Sequence, residues 1–228
     1  MFPDLTHRSL DLERLDTGDY TESEYALWQR EMHYINRFLG DTRCLRLAIE
    51  AVFKETKTGT ISILDVGAGS GDLLEAAREM LKNTSPLLVG VDINLASVQT
   101  IAARSGIEAI QGDALALPFA ESSFDMVVCS LFLHHLTDDA AVDLIREMRR
   151  VARLRFVIID LHRHAVAHFL YRLVGKLALQ KFSLDDGSLS IRRSFRPDEL
   201  HTLARLAGVS GVEVRRRAAF RLVLSGSK

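Results

Sequence analysis

Residues 61–72 read Ile61-Ser62-Ile63-Leu64-Asp65-Val66-Gly67-Ala68-Gly69-Ser70-Gly71-Asp72. Apolar residues, several of them β-branched, run into an acid and then into three alternating glycines, and apolar residues at helical spacing follow from Leu73 to Met80. This pattern predicts a strand, a tight turn and a helix. The glycines permit positive φ angles and close approach of the backbone to a bound molecule, and the free N–H groups that open the helix face the same place. The stretch therefore predicts a small-ligand site in an α/β fold.

The spacing of the glycines separates two classes of ligand. A dinucleotide-binding turn requires Gly-x-Gly-x-x-Gly, but Asp72 stands where the third glycine is needed. The spacing found is Gly-x-Gly-x-Gly, and Asp65 lies two residues ahead of it. A NAD-dependent dehydrogenase and a generic glycine turn of some other α/β protein remain as alternatives.

This arrangement resembles the first motif of the class I S-adenosylmethionine (SAM) dependent methyltransferases. In that family the acid ends the first strand, and the glycine turn passes beneath the amino-acid part of SAM, whose product is S-adenosyl-L-homocysteine (SAH). SAM carries an ammonium and a sulfonium but no pyrophosphate, so a carboxylate beside the turn is useful. The resemblance implies cofactor-binding roles for Asp65, Gly67, Ala68, Gly69 and Gly71.

Two further acids follow predicted strands. The apolar strand Leu87–Val91 ends at Asp92, about twenty residues beyond the turn, where an acid can accept hydrogen bonds from both ribose hydroxyls. Ile93 would then flank the adenine, although acids that end strands are also common on protein surfaces. A third strand, Ile107–Gln111, exits into Gly112-Asp113-Ala114.

The segments 112–119 and 124–130 resemble the corresponding pattern of small-molecule methyltransferases of this class. The resemblance implies that Asp113 contacts the exocyclic amine of adenine and that the Ala114 N–H faces a ring nitrogen. It also places Ser130, at the exit of the fourth strand, beside the cofactor and the transferred methyl group. The cofactor predicted from these motifs is SAM, with SAH as its product.

The exit of the fourth strand, Ser130-Leu-Phe-Leu-His-His-Leu136, bears on the methyl acceptor. Enzymes of this class that methylate nucleobase or amide nitrogens usually carry Asn or Asp, Pro, Pro and an aromatic residue here, and this chain does not. Cys129 belongs to the strand, so a covalent cysteine route to pyrimidine carbon is not expected. A net charge of −1 gives no strong field for nucleic acid. We therefore expect a small-molecule aromatic or polyketide-like acceptor and no nucleic acid.

The apolar residues at this exit suit methyl transfer from a sulfonium to an oxygen anion, because the reaction destroys two opposite charges. A phenol with a pKa near 10 must lose its proton, and a histidine with a pKa near 6.5 can accept it. The candidate bases are His134, His135, His162 and His164, each of which could instead be structural or a helix cap. We predict an O-methyltransferase acting on a phenolic or polyketide-like hydroxyl. The alternatives are a C-methyltransferase acting on a quinol-type ring and a protein that binds SAM without methyl transfer.

The order of predicted elements gives the fold class. We expect an α/β, Rossmann-like class I methyltransferase fold, with a seven-stranded and mostly parallel sheet, an antiparallel C-terminal hairpin strand, an N-terminal helical lid and an inserted helix after strand 5. Residues 1–57 form the predicted lid and arm, whose first nineteen residues we expect to be loosely held. Residues 58–228 form the methyltransferase domain, with a lid insertion at about 162–195.

The inserted helix, predicted over 165–180, has an apolar stripe that we expect to cover the neighbouring end of the sheet. Membrane-surface attachment by the same helix, whose polar side carries Arg172 and Lys176, is the alternative, so membrane association is not the expected outcome. In the N-terminal helix, Tyr25 and Trp28 would suit either a lid over a flat substrate or the core.

Composition adds limits of its own. A chain of 228 residues most simply forms one domain with a sizeable core. Its two cysteines, Cys44 and Cys129, indicate neither a disulfide framework nor a metal cluster, so no metal is expected. Residues 1–10 lack the apolar segment of a secretory signal, and we expect a cytoplasmic protein. The oligomeric state does not follow from the sequence.

Overall fold

In the described residues, three helices precede the first strand, strands and helices mostly alternate from the first strand to the fifth, and three helices follow the fifth. The computed structural model describes residues 4–55 and 60–228. The strands are β1 (Ser62–Val66), β2 (Leu87–Asp92), β3 (Glu108–Gln111), β4 (Phe124–Ser130), β5 (Ala152–Leu161), β6 (Glu213–Arg217) and β7 (Arg221–Ser227). The helices are α1 (Arg14–Thr17), α2 (Glu22–Phe38), α3 (Asp41–Glu55), α4 (Asp72–Met80), α5 (Leu95–Ala102), α6 (Asp138–Val151), α7 (Ala165–Ala178), α8 (Lys181–Arg193) and α9 (Pro197–Leu206). Two 3-10 turns cover Leu133–His135 and Ala218–Phe220.

The strands form a seven-stranded sheet in the order β3-β2-β1-β4-β5-β7-β6. β1 to β5 pair in parallel, whereas β7 is antiparallel to both β5 and β6. The expected sheet, including its antiparallel C-terminal strand, is confirmed. Because the chain runs outward from β1 to β3 and then returns to place β4 beside β1, the strand order reverses there. Such a reversal opens the crevice in which α/β sheets bind ligands.

Both faces of the sheet are covered at its centre, which explains why β1, β2 and β4 are largely apolar. In β4, Met126 and Val128 join the apolar layer beneath α3, α4 and α5, and Val127 and Cys129 join the layer beneath α6 and α9. All four side chains are inaccessible to solvent. The sheet is therefore a rigid base for the residues at its carboxyl edge.

The fifth strand follows α6 without a loop. It begins at Ala152, the residue that caps α6, and runs to Leu161. A register shift between Phe124 and Met126 accommodates this direct passage from helix to strand. The Arg153 guanidinium donates two hydrogen bonds to Asp125 Oδ1, from Nη2 at 2.6 Å and from Nε at 2.9 Å. Arg153 and Arg155 alternate with Leu154, so the start of this strand does not have the apolar run of a buried strand.

The N-terminal arm is docked, and the expectation that it is loosely held is wrong for its described residues. The Leu5 carbonyl accepts hydrogen bonds from Arg163 Nε at 3.0 Å and from Arg196 Nη2 at 2.7 Å. The Arg8 guanidinium donates to the Leu136 carbonyl at 3.0 Å and lies 3.6 Å from the centre of the Phe195 ring. These partners lie more than one hundred residues away, so no local sequence pattern reveals them.

The arm leads into α2 and α3 as predicted. Thr21 caps α2, with its side chain accepting from the Glu24 N–H and the Glu24 side chain accepting from the Thr21 N–H. The predicted boundary between residues 57 and 58 lies outside the described residues, so the division into two domains stays a prediction.

The insertion after β5 contains two helices, of which the sequence indicated only α7. α8 was missed because its Asp, Ser and Gly residues are weak helix formers. Gly187 is needed in that helix, since a Cβ there would lie 2.1 Å from Tyr171 Oη, and the Tyr171 hydroxyl donates to the Ser183 carbonyl at 2.6 Å. α7 packs on α8, and its apolar stripe faces solvent instead of covering the sheet. The expected packing of that stripe is wrong.

A buried ion pair joins α3 to β7. Arg221 donates from Nε to Asp41 Oδ1 at 2.6 Å and from Nη2 to Oδ2 at 3.0 Å, and both side chains are at most 5% exposed. Asp41→Ala should lower the free energy of unfolding in urea by about 3–5 kcal/mol, because it leaves a buried guanidinium unpaired. Arg215→Ala is the control, since its pair with Glu213 is half exposed and should contribute less than about 1 kcal/mol. Equal losses for both variants would contradict an anchoring role for the buried pair.

Candidate active site

The glycine turn lies at the carboxyl end of β1 and is fastened to β2. The N–H groups of Gly67 and Ala68 both donate to the Val91 carbonyl, at 2.9 and 3.1 Å. Gly67, Gly69 and Gly71 have φ angles of 69°, 53° and 76°, which L side chains rarely adopt. A Cβ on Gly67 would lie 2.8 Å from the Phe132 ring, whereas a Cβ on Gly69 would meet no atom within 4 Å. The turn thus packs on one side and opens to a ligand on the other.

The three predicted acids lie at the ends of three neighbouring strands. Asp65 is in β1, Asp92 ends β2, and Asp113 follows β3 by two residues. Asp92 accepts the Gly69 N–H on Oδ2 at 2.8 Å and the Asn94 N–H on Oδ1 at 2.9 Å. Asp113 is exposed. A carboxylate can accept further hydrogen bonds through its remaining lone pairs, so Asp92 and Asp113 can both serve a ligand.

Asp65 is buried at 2% exposure. Burial, and secondarily the charge of Asp92, raises the pKa of Asp65 to about 8. A buried carboxyl group with a raised pKa lacks a neighbouring positive charge, which a ligand ammonium would provide. Together with the open side of Gly69, this arrangement fits the amino-acid end of SAM.

The remaining predicted cofactor residues lie around the same edge of the sheet. Ile93 is 70% exposed directly after Asp92, and Ala114 and Ser130 are half-buried. Burial, followed by the charges of Tyr20 and Asp92, raises the pKa of the Tyr25 hydroxyl in α2.

An aromatic stack joins α2 to α8. Ring centroids are 5.1 Å apart for Tyr20 and Tyr25, 5.7 Å for Tyr25 and Trp28, and 5.4 Å for Tyr20 and Phe182. Tyr25 and Trp28 are half-buried, so they are neither fully core nor freely exposed. Their role as a lid stays a prediction.

The four candidate histidines occupy different environments. His134 is buried, and its Nδ1 lies 2.6 Å from Asp160 Oδ1, while its backbone N–H donates to Oδ2 at 3.0 Å. Burial alone would raise the pKa of Asp160, but the charge and hydrogen bonds of His134, with a bond from the Leu161 N–H, hold it below its usual value. Asp160 is therefore ionised and accepts a proton-bearing Nδ1 of His134, and in a neutral imidazole Nε2 is the atom left to accept a proton.

His135 is tied to the arm, because its Nδ1 lies 2.8 Å from Asp16 Oδ1. Burial opposes ionisation of Asp16, but His135 and Arg193 outweigh it and lower the Asp16 pKa. His162 is buried, and burial followed by the charges of His164 and nearby arginines lowers its pKa to about 4. His164 caps α7, with Nδ1 accepting from the Val166 N–H at 3.2 Å.

Comparison with known proteins agrees with this geometry. A family model described as "Methyltransferase domain" matches residues 63–155. A demethylmenaquinone methyltransferase of Roseiflexus castenholzii is 34% identical over 169 residues, which cover 67% of this chain and 69% of the relative. The chain belongs to the class I SAM-dependent methyltransferases.

Other relatives of this methyltransferase match more narrowly. A ubiquinone/menaquinone biosynthesis C-methyltransferase of Xanthomonas oryzae pv. oryzae is 36% identical over 100 residues, or 40% of this chain and 38% of the relative. Among solved structures, the plantazolicin methyltransferase BpumL in complex with a substrate analogue and SAH has a TM-score of 0.68 at 15% identity, covering 94% of this chain and 93% of that one. A SAM-dependent methyltransferase from Aquifex aeolicus gives 0.53 at 17% identity, over 78% and 88% of the two chains. These two likenesses confirm the fold.

The sequence did not reveal Glu13, which the arm carries into the methyltransferase site. It is 3% exposed, and its Oε1 has no hydrogen-bond partner and lies 4.0 Å from His134 Nε2. Burial raises the pKa of Glu13 to about 7 despite the opposing charges of His135 and Arg193. Asp160 was also missed, although it lies next to the last residue of β5, near the same edge of the sheet as Asp92, and that position could have indicated it.

Glu13, His134 and His135 together place one possible ligand atom each within 4.8 Å of the others. A cation could draw such atoms together, but Arg193 already lies 3.9 Å from Glu13 Oε1 and supplies positive charge. We therefore treat the cluster as part of the acceptor side of the site. Cys129 lies beneath it with no solvent exposure, and burial raises the pKa of its thiol well above the usual value, so it is a poor nucleophile.

Gly69→Ala tests whether the open side of the turn holds the cofactor. The added methyl group would project into that space, so the dissociation constant of SAH should rise by about tenfold or more. Gly208→Ala is a matched control, because Gly208 has a similar φ of 72° and equally open surroundings but lies after α9. Both variants should lose about 1–2 kcal/mol of stability from left-handed backbone strain. Equal SAH affinity for the two variants, measured by calorimetry, would contradict the assignment.

The raised pKa of Asp65 predicts a pH dependence of cofactor binding. If Asp65 ionises against the SAH ammonium, binding releases up to one proton, and the dissociation constant should fall by at most about tenfold per unit between pH 6 and 7.5. Calorimetry in buffers of different ionisation enthalpy counts that proton. Asp65→Asn should bind more weakly and without this slope. A proton count of zero for the unmodified protein would contradict the role.

The same group predicts a pH dependence of stability without cofactor. Its folded pKa is raised, so its contribution is fully present below the unfolded pKa of about 3.9 and is lost as pH rises through about 8. Asp65→Asn should remove that loss, which distinguishes a folded variant with weak binding from an unfolded one.

Proposed function

We propose that this methyltransferase methylates the hydroxyl oxygen of a phenolic or polyketide-like small molecule. The buried pair of His134 and Asp160 carries the proposal, because a phenol must lose its proton before it attacks. Bound SAM supplies an electrophilic methyl group on a sulfonium. The chain supplies the base, the orientation of both reactants and the exclusion of water.

The cofactor would be held by the edge of the sheet described above. Asp65 would pair with the ammonium, and Asp92 would accept hydrogen bonds from the ribose hydroxyls. Asp113 would accept the adenine amine, with the Ala114 N–H toward a ring nitrogen and Ile93 against the ring. The other residues that we propose to line the cofactor are Gly67, Ala68, Gly69, Gly71 and Ser130.

His134 has the features of a general base. Its Nδ1–H is held by an ionised carboxylate, which fixes the tautomer and stabilises the imidazolium that forms when Nε2 takes a proton. Because Asp160 also accepts the backbone N–H of His134, the ring has one defined position. Geometry of this kind suits proton transfer without reorganisation.

Glu13 gives the acceptor hydroxyl a second contact. An oxygen about 2.7 Å from both Glu13 Oε1 and His134 Nε2 fits the 4.0 Å that separates them. With a pKa of about 7, Glu13 is protonated in a large part of the molecules near neutral pH and can donate or accept there. We therefore propose that the acceptor hydroxyl binds between these two side chains.

The surroundings favour loss of charge in the reaction. His134, Glu13 and Asp160 are all less than 5% exposed, and Leu133 and Phe132 belong to or pack against the apolar core. Water would stabilise the separated phenolate and sulfonium charges, so its exclusion lowers the barrier. We propose supporting roles for His135, His162 and His164, and a lid role for α2 and for the insertion at 162–195.

A second candidate is methylation of a ring carbon in a quinol-type acceptor. The names of the demethylmenaquinone and ubiquinone/menaquinone relatives favour it. The same base would serve, since a quinol that has lost a proton is nucleophilic at ring carbon as well as at oxygen. The position of the new methyl group, determined by NMR of the product, separates the two.

His134→Gln should lower kcat by about 10²–10³-fold on a panel of phenols, catechols and 1,4-naphthohydroquinones, with unchanged SAH affinity. His168→Gln is the matched control, because His168 is buried but bonded to Ser188 Oγ in α8, at 2.8 Å. The loss in His134→Gln should shrink toward pH 10, where a phenol ionises unaided. Near-normal turnover of His134→Gln at pH 7 would refute the base, and absence of turnover with every acceptor would refute the acceptor class.

A further inference from the structure

The outer surface of α7 is a continuous apolar stripe. Six large side chains are 42–91% exposed, at the spacing i, i+3, i+4, i+7, i+8 and i+11 that places them on one side of a helix. We call them the α7 face: Val166, Phe169, Leu170, Leu173, Val174 and Leu177. Contiguous exposed stripes of this kind mark interaction sites, unlike single exposed leucines.

The opposite side of α7 fixes the helix in this orientation. Ala167, His168 and Gly175 are buried, and a Cβ on Gly175 would lie 2.8 Å from Leu184 Cδ1 of α8. The Tyr171 hydroxyl also reaches the backbone of α8. Because small residues and hydrogen bonds seat this side of α7 against α8, the helix cannot turn its stripe inward without losing that packing.

The charged residues of α7 itself have one sign. Residues 161–184 contain no acid, and Lys176 and Lys181 are exposed, with Arg172 half-buried. The nearest exposed acid in the insertion is Asp185, which belongs to α8. A helix with an apolar face, a basic flank and no acid complements an anionic lipid surface.

We propose that the α7 face binds an anionic phospholipid bilayer, with α7 lying in the plane of the interface. No helix in the described part of the chain has the length and apolarity to cross a bilayer, so the attachment is peripheral. A two-fold contact between copies would bring two basic flanks together, whereas anionic lipid neutralises them. From the sequence alone, membrane-surface attachment by this helix was the alternative to its covering the end of the sheet.

The bound bilayer would be separated from the acceptor side of the site by α7 and α8. Arg193, the last residue of α8, donates from Nη2 to the His135 carbonyl at 2.8 Å. An acceptor with an apolar chain could therefore enter from the lipid phase. This consequence rests on the proposed function, whereas bilayer binding by the α7 face does not.

The test is sedimentation of the full chain with vesicles of phosphatidylcholine and phosphatidylglycerol in equal amounts. Leu177→Glu and Val174→Glu should each weaken binding by about tenfold or more, because each puts a charge where an apolar side chain would be buried. Leu206→Glu is the matched control, since Leu206 is 60% exposed on α9, and it should bind as the unmodified chain does. Binding should weaken on pure phosphatidylcholine and in 0.5 M salt.

Failure of the unmodified chain to sediment with these vesicles overturns the proposal, as does equal binding by Leu177→Glu. Self-association that Leu177→Glu abolishes, without vesicle binding, would show that a second copy covers the face and would also overturn it. SAH affinity of the α7 variants separates the two questions. Unchanged SAH affinity with lost sedimentation supports the bilayer contact, and vesicle binding by the unmodified chain without turnover on any acceptor counts against the proposed function alone.

Discussion

The parallel pairing of β1 between β2 and β4 is the constraint on which the rest of the structure depends. It sets Asp65 opposite Gly90 on one side and opposite Val128 on the other, so three strand ends meet at one edge. The glycine turn can then reach back to the Val91 carbonyl and forward to the Phe132 ring. The residues that we propose for the cofactor and those that we propose for the acceptor thereby lie on either side of one turn.

At that edge, the charge state of each buried carboxyl group depends on whether it has a hydrogen-bond or ion-pair partner. Asp160 is ionised because His134 and two backbone N–H groups support it, whereas Asp65 and Glu13 lie in equally buried places without a sufficient cation. The first supports the base that we propose, and the other two are the groups for which we propose a ligand as the missing partner. Burial and the absence of compensation, rather than residue type, distinguish the three carboxyl groups.

The N-terminal arm and the insertion build the acceptor side from distant parts of the chain. Arg193 binds the carbonyls of His134 and His135 and also forms an ion pair with Asp16 of the arm. Arg8 of the arm approaches the same turn from the other side. These contacts place charged groups around His134 and His135, whereas the apolar stripe of α7 is exposed to solvent. The molecule thus separates a water-poor interior site from an apolar surface by the thickness of one helix pair.

The sequence predicts correctly those features that depend on residues close together in the chain. The β1 turn, the fourth strand that ends at Ser130 and the antiparallel last strand follow from the apolar period and the glycine spacing, which depend on neighbouring residues. It failed where partners are remote. The arm looked polar and loose because its partners, Arg163 and Arg196, are far along the chain, and α8 looked like a loop because Gly187 serves a contact with Tyr171.

The sequence by itself determined the sheet, the glycine turn and the acids that follow β1, β2 and β3, because strands and turns are specified by patterns of adjacent residues. Only the tertiary structure decided which histidine has a carboxylate behind it, that Glu13 faces it, and that α7 turns its apolar side to solvent. The physical reason is that burial and charge pairing are properties of neighbours in space. The sequence shows which residues are present, whereas only the packing of the folded chain shows which of them are in contact.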